Sequence, residues 1–306
     1  MSRIKHFLWA IGPFSNRSNS RAEYIIQKLF AFMLIFAVSA GLVEAGIILV
    51  FTLFGYDVLK GVLPDSPAVG MLPLYGYILF ALLTVLYVRR IEKRPLSDIR
   101  LRLDKKSLLL FAVFLGAGIL WVSVLIGCFV LFGVFSFAGF GEFSGTAVFW
   151  LLAFIIQGSA EELMCRGFLQ NALERRVSRP QAIAFSALAF ILPHASGLME
   201  MTALQMIVSL VNLALVSLVF SFVMIKTGSV LPVCGLHAGW NFALGIVFGT
   251  NVSGMNASGG LIRLTVSQSP ALVSGGVYGI EASIFLIPIL LFAAMICYLS
   301  ITRGEK

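Results

Sequence analysis

The chain has 306 residues, 59% of them hydrophobic and only 12% charged, with a mean hydropathy of +0.98 and a formal charge of +8. That composition excludes an ordinary soluble domain and requires an integral membrane protein. The positive charge calls for no nucleic-acid partner, because basic residues flanking apolar spans are what anionic lipids of the inner leaflet attract.

The apolar runs follow one another closely, so the expected fold is all-α, one multi-pass transmembrane helical bundle of about eight helices in a lipid bilayer. The runs read as 29–55, 71–88, 108–135, 148–173, 180–194, 202–225, 230–249 and 281–301. Only 14 residues separate Pro180 from His194 in the fifth, and stretches that short are often re-entrant or broken. On this reading residues 1–107 hold an N-terminal tail, two transmembrane helices and a basic loop. Residues 108–250 form a central helical core, and 251–306 supply an outer loop and the last helix, all within one membrane domain. The first 28 residues carry charge throughout, so the first helix is expected to serve as a signal anchor. The loop from Thr250 to Gly276 is rich in Gly and Ser and is expected to be mobile.

Orientation follows from the basic residues. With both termini cytoplasmic, the inner segments collect 19 of the 22 Lys and Arg, including Arg3, Lys5, Arg17, Lys306 and eight between Arg89 and Lys106. The outer loops keep only Lys60 and Arg263, and Arg166 falls inside the membrane. Cys128, Cys165, Cys234 and Cys297 lie in apolar segments with no C-x-x-C pair, which reads as four small buried residues rather than a metal knuckle.

Three polar clusters interrupt this pattern. They are Glu161-Glu162-x-x-x-Arg166, Phe190-x-x-x-His194 and His237-x-x-x-Asn241. Ionisable groups in hydrocarbon are costly unless paired or used, so each is a candidate functional residue. Glu162 and Arg166, at i and i+4 with the acid N-terminal, suit a helical ion pair. Glu161 lies about 100° round the helix and must face something else. A desolvated carboxylate near a histidine suits general-base work. His6 lies in the basic tail, whereas His194 and His237 are intramembrane. His237 and Asn241 share a helix face, and Gly235 and Gly239 bracket His237 in a G-x-x-x-G pattern that permits close helix approach. Counted from the cytoplasmic helix ends at about 1.5 Å per residue, Glu161, His194, His237 and Asn241 lie roughly 20, 21, 16 and 22 Å deep, which points to one buried site.

The strings Glu161-Glu-Leu-Met-Cys-Arg-Gly-Phe-Leu-Gln170, Phe190-Ile-Leu-Pro-His194 and His237-Ala-Gly-Trp-Asn241 resemble the CPBP intramembrane proteases, the group of the type II CAAX prenyl endopeptidases and the Abi bacteriocin-processing proteins. The resemblance covers about residues 148–249. It implies an endopeptidase, of metallo- or glutamate type, with a membrane-embedded site facing the cytoplasm. Glu161 and His194 would activate water, His237 and Asn241 would stabilise the oxyanion, and Glu162 and Arg166 would support them. Family members are commonly called metalloproteases, and Glu161, His194 and His237 could hold a divalent metal, zinc above all. Against that stand the lack of an H-E-x-x-H pair and the poor zinc affinity of an amide such as that of Asn241.

The expected partner is a peptide or membrane-protein substrate, and the expected location a bacterial cytoplasmic membrane, or the endoplasmic reticulum for a eukaryotic chain. The sequons at Asn251 and Asn256 are too short to decide that. Two other classes use the same buried cluster: a multi-pass transporter, for which Glu44 would be a further relay group, and a non-catalytic membrane scaffold. No internal repeat of the transporter kind is visible.

Overall fold

The computed structural model describes residues 9–15, 20–142, 145–199, 201–256 and 260–304. Arg3, Lys5, His6, Arg17 and Lys306, and the sequon residues Ala257 and Ser258, lie outside the described residues. The described chain is mostly helical, with seven helices long and apolar enough to cross a membrane and one shorter apolar helix.

Five of the helices begin at a short polar capping residue: Ser20, Ser66, Asp104, Ser178 and Thr202. Helix α1 (Arg21–Leu53) starts with a reciprocal Ser20–Glu23 capping box. At 33 residues it runs about 50 Å, longer than the hydrocarbon layer is thick, which tilt accommodates. Helix α2 (Pro67–Leu86) takes Ser66 as its cap and ends in a π-helical turn, Tyr87–Ile91. Helix α3 (Lys105–Leu131) is capped by Asp104, whose carboxylate accepts from the Ser107 N–H at 2.9 Å. Helix α4 (Thr146–Glu162) passes into a π-helical stretch, Leu163–Gln170, and ends at Leu173.

The short fifth run forms α5 (Arg179–Ile191), which breaks into a 3₁₀ turn at Leu192–His194 and resumes over Ala195–Leu198. Pro193 explains the break: it has no N–H for the Ala189 carbonyl, which accepts from Leu192 instead. Helix α6 (Ala203–Thr227) ends at Gly228 with φ of 70°, the left-handed conformation that suits a glycine terminator. Helix α7 (Leu231–Phe242) continues as a π-helical turn to Val247, and α8 (Leu286–Gly304) closes the chain.

One expectation needs correction, and a second segment holds more regular structure than its composition suggests. The third run was expected to continue helical to 135, but α3 stops at Leu131, and Phe135–Phe140 form strand β1, paired antiparallel with β2, Ile262–Val266. The Thr250–Gly276 loop was expected to be mobile; its described part holds β2, a Val252–Met255 bridge and a helical turn at Ala271–Ser274. Its backbone polar groups find partners through the β1–β2 ladder, a non-local pairing that composition alone does not reveal.

Helix α4 lies between α2 and α7, and α7 lies between α3 and α4. The close α3–α7 contact rests on glycines: a Cβ at Gly235 would stand 2.2 Å from the Phe111 carbonyl oxygen, and one at Gly239 2.1 Å from that of Leu115. Gly118 of α3 reciprocates, 2.4 Å from the Leu236 oxygen. Small residues at such a crossing let backbones approach and pack without a hydrophobic driving force.

One end of the bundle is tied by charge. Glu92 meets Lys28 at 2.5 Å and Arg94 at 2.7 Å, Asp98 meets Arg94 at 3.2 Å and Arg175 at 2.6 Å, and Arg100 meets Glu174 at 3.3 Å. Burial works against the Asp98 carboxylate, yet the two guanidiniums hold its pKa below the usual range. The β1–β2 pair lies at the other end, beyond the last turn of α3.

Candidate active site

Two helices carry most of the polar groups, and each loosens into π geometry directly after its motif. On α4, Gln157 and Glu161 are one turn apart and face His237 and Asn241 of α7, also one turn apart, so the interface is a two-rung polar ladder. On one rung Asn241 Nδ2 donates to Gln157 Oε1 at 3.0 Å. On the other, His237 Nε2 stands 4.0 Å from Glu161 Oε2. That separation is too long for a direct hydrogen bond, but one water could sit about 2.8 Å from both atoms.

Behind this rung lies a buried relay. Glu162 Oε1 accepts from His237 Nδ1 at 3.0 Å and from Arg166 Nη1 at 3.1 Å, with Glu162 and Arg166 both fully buried. Arg166 also donates to Ser217 Oγ at 2.7 Å, and its guanidinium lies 4.3 Å from the centre of the Phe190 ring and 5.4 Å from that of Phe220. A carboxylate on one imidazole nitrogen fixes the ring's orientation and leaves the other nitrogen facing the site. Gly158 makes room for that ring, since a Cβ there would meet His237 Cγ at 3.2 Å. The π stretch after Glu162 widens the turn, and the Asn171 amide caps the opened carbonyls, donating to Arg166 O at 2.7 Å and Gly167 O at 3.1 Å.

His194 comes from the broken end of α5. Its Nδ1 pairs with the Phe190 carbonyl oxygen at 2.9 Å; a carbonyl only accepts, so Nδ1 donates, and in the neutral ring Nε2 is then the acceptor. Glu161, His194 and Asn241 line one cavity of about 140 Å³, together with Gln157 and Tyr77. His237 is not among the lining residues; its Nε2 stands 4.0 Å from Oε2 of Glu161, which is. Glu161 Oε2 is buried and has no hydrogen-bond partner among the described residues.

Val252, Ser253 and Met255, from the segment that follows α7, line one side of the cavity. This segment, which caps that side, therefore lies at the β1–β2 end, away from the ion-pair network. With both termini cytoplasmic this is the outer side, whereas the resemblance implies a site facing the cytoplasm. Among the described residues no group of three His, Cys, Asp or Glu side chains converges as a metal set. Glu161, His194 and His237 thus do not form a ligand set as they stand, with His237 Nδ1 already engaged by Glu162.

Gln157 and Tyr77 escaped the sequence reading. Gln157 could have been found, because it precedes Glu161 by one turn in an otherwise apolar stretch. Tyr77 carries no such signal. Glu44 of α1 is not among the residues lining the cavity.

Residues 143–243, or 101 of the 306, match the family described as type II CAAX prenyl endopeptidase Rce1-like. The matched stretch holds the ladder of α4 and α7 and His194, and the match supports the CPBP and CAAX protease family. Searches of curated proteins and of solved structures gave no match.

Proposed function

We propose that this Rce1-like chain is an intramembrane endopeptidase in which Glu161 and His194 activate a water and His237 and Asn241 stabilise the oxyanion. The observation that carries this reading is the convergence of Glu161, a His194 held with its acceptor nitrogen free, and Asn241 on one cavity. Peptide hydrolysis needs a base for the water and donors where negative charge develops, and these residue types supply both.

The proton inventory assigns the roles. Glu162 accepts at His237 Nδ1, so His237 can donate from Nε2 only as an imidazolium. In that state the charges of Glu161, Glu162, Arg166 and His237 sum to zero, the arrangement a low-dielectric interior tolerates best. A water between Glu161 and His194 loses its proton to Glu161 as its oxygen attacks the carbonyl carbon. The oxyanion forms toward Asn241 Nδ2 and His237 Nε2. Glu161 then passes the proton to the leaving amine, and the C–N bond breaks.

No step passes through a metal, since the described residues do not gather three donors. Metal analysis of purified protein tests that choice: zinc bound in stoichiometric amount, with activity lost on its removal and restored on its return, would favour the metallo-type. The hydrolase reading is tested with a membrane-anchored fluorogenic peptide in proteoliposomes. Glu161→Gln, His194→Ala and Asn241→Ala are expected to lower kcat by about 10²–10⁴-fold with folding retained. Wild-type rates in all three would sink the assignment. The cleaved substrate, peptide or membrane protein, is then identified by mass spectrometry of the products, and its carboxy-terminal chemistry tells whether a CAAX-type sequence is preferred.

A further inference from the structure

We infer that Glu281 is a positioning residue that clamps the cap of the cavity to α7. Glu281 lies in a 3₁₀ turn, Ile280–Ala282, ahead of α8 and outside both the motifs and the matched segment. Both of its carboxylate oxygens are engaged. Oε1 accepts from the Trp240 indole N–H at 3.0 Å, and Oε2 accepts from the Ser253 backbone N–H at 2.6 Å and the Ser253 hydroxyl at 2.9 Å. Its own carbonyl accepts from Asn212 Nδ2 of α6 at 2.9 Å. One side chain thus joins the residue next to Asn241 to a residue that lines the cavity, and its backbone is anchored to a third helix.

The cap needs such an anchor. Ser253 has φ of 48°, a left-handed conformation that a residue with a side chain holds only when its surroundings over-determine it. The Glu281 carboxylate, fixing both the N–H and the hydroxyl of Ser253, is that constraint. The neighbouring contacts run the same way: Gly254 N–H donates to the Tyr278 carbonyl at 3.0 Å, and Asn251 Nδ2 to that of Val277 at 2.6 Å. On its inner side the cap rests on α5, where a Cβ at Gly197 would come within 3.1 Å of the Ser253 oxygen. Charged acceptors bind N–H and O–H donors roughly twice as strongly as neutral ones, so the carboxylate sets how often the cap opens.

The role assigned to Glu281 in turnover rests on the endopeptidase reading; the clamp itself does not. The test therefore uses two readouts on the full-length protein in proteoliposomes. In a Leu74→Cys background, which places a thiol on the cavity wall, labelling by a small methanethiosulfonate is followed at that site by mass spectrometry. Glu281→Ala is expected to raise the labelling rate at least about tenfold and to raise KM about tenfold with a smaller change in kcat. Glu281→Gln is expected to fall between, since its amide can accept at one end of the clamp but presents a donor to the other. Should Glu281→Ala fail to fold, Ser253→Gly keeps the backbone angle while removing the hydroxyl, and is expected to raise labelling by a smaller factor. Unchanged labelling in the folded variants would overturn the clamp. Raised labelling in a protein that cleaves nothing would uphold it and remove the hydrolase reading alone.

Discussion

Replacing Gly239 by Ala tests whether the site is set by helix packing on its far side. The added methyl carbon would stand 2.1 Å from the Leu115 carbonyl oxygen, where a carbon and a carbonyl oxygen in contact need about 3.3 Å. Backbone lies on both sides, so no side chain can swing away, and α7 must move from α3 by about 1 Å. That displacement carries His237 and Asn241 with it, toward Gln157 and Glu161. Over-packing of this kind costs about 1–3 kcal/mol, and about 1 Å of misplacement at a reacting centre can cost 10²-fold in rate. The assay pairs thermal unfolding in detergent with peptide cleavage in proteoliposomes, and Gly116→Ala serves as control, because a Cβ there meets nothing within 4 Å. Equal rates and equal melting temperatures for Gly239→Ala and Gly116→Ala would refute the reasoning.

Glu162→Gln keeps an oxygen where Arg166 and His237 donate but removes its charge; two charge-assisted bonds become neutral ones beside a buried guanidinium, so stability in detergent should fall by about 2–4 kcal/mol. A loss below about 0.5 kcal/mol would mean that the pair is not desolvated as described. Asp98→Asn bears on the ion-pair end. Its lowered folded pKa means that its contribution is present above the ordinary carboxylate value and is lost as pH falls through the folded one. The variant should therefore show a shallower loss of stability below about pH 4, and an unaltered acid limb would count against the pairing. Topology is checked by thiol labelling with a membrane-impermeant maleimide. With both termini cytoplasmic, exposed Asn256→Cys should label in intact cells and exposed Arg102→Cys only after lysis. The opposite pattern would turn the capped end of the cavity toward the cytoplasm, as the resemblance implies.

The helices were legible because each is a long apolar run bounded by charge, and all eight runs overlap the observed helices. The ion pair of Glu162 with Arg166 followed from i,i+4 spacing, and the close approach of α7 from Gly235 and Gly239. What escaped has a common cause. The π stretches after Glu162 and Phe242 are changes in hydrogen-bond register that leave composition untouched. The β1–β2 pairing joins Phe135 to Val266 across a separation at which neither strand signals its partner. That His237 bonds Glu162 while Glu161 meets the cavity could not be read from spacing, because helix phase separates the two carboxylates without saying which one faces a neighbour. Glu281 stayed hidden for the same reason, since its partners Trp240 and Ser253 lie 41 and 28 residues away.

The placement of Arg166 on the same helix as Glu162 also bears on how the chain is made. When α4 leaves the ribosome and partitions into the bilayer, its most buried acid already has a counter-ion one turn away, so the segment enters with one uncompensated carboxylate rather than two. Each intramembrane charge costs about 2.5–3.5 kcal/mol on insertion scales, so that self-sufficiency favours integration of a helix that α7 cannot yet assist. His237 is synthesised 75 residues after Glu162. Glu161 therefore lacks its imidazole neighbour until α7 has been made, and the polar ladder is completed only late in synthesis.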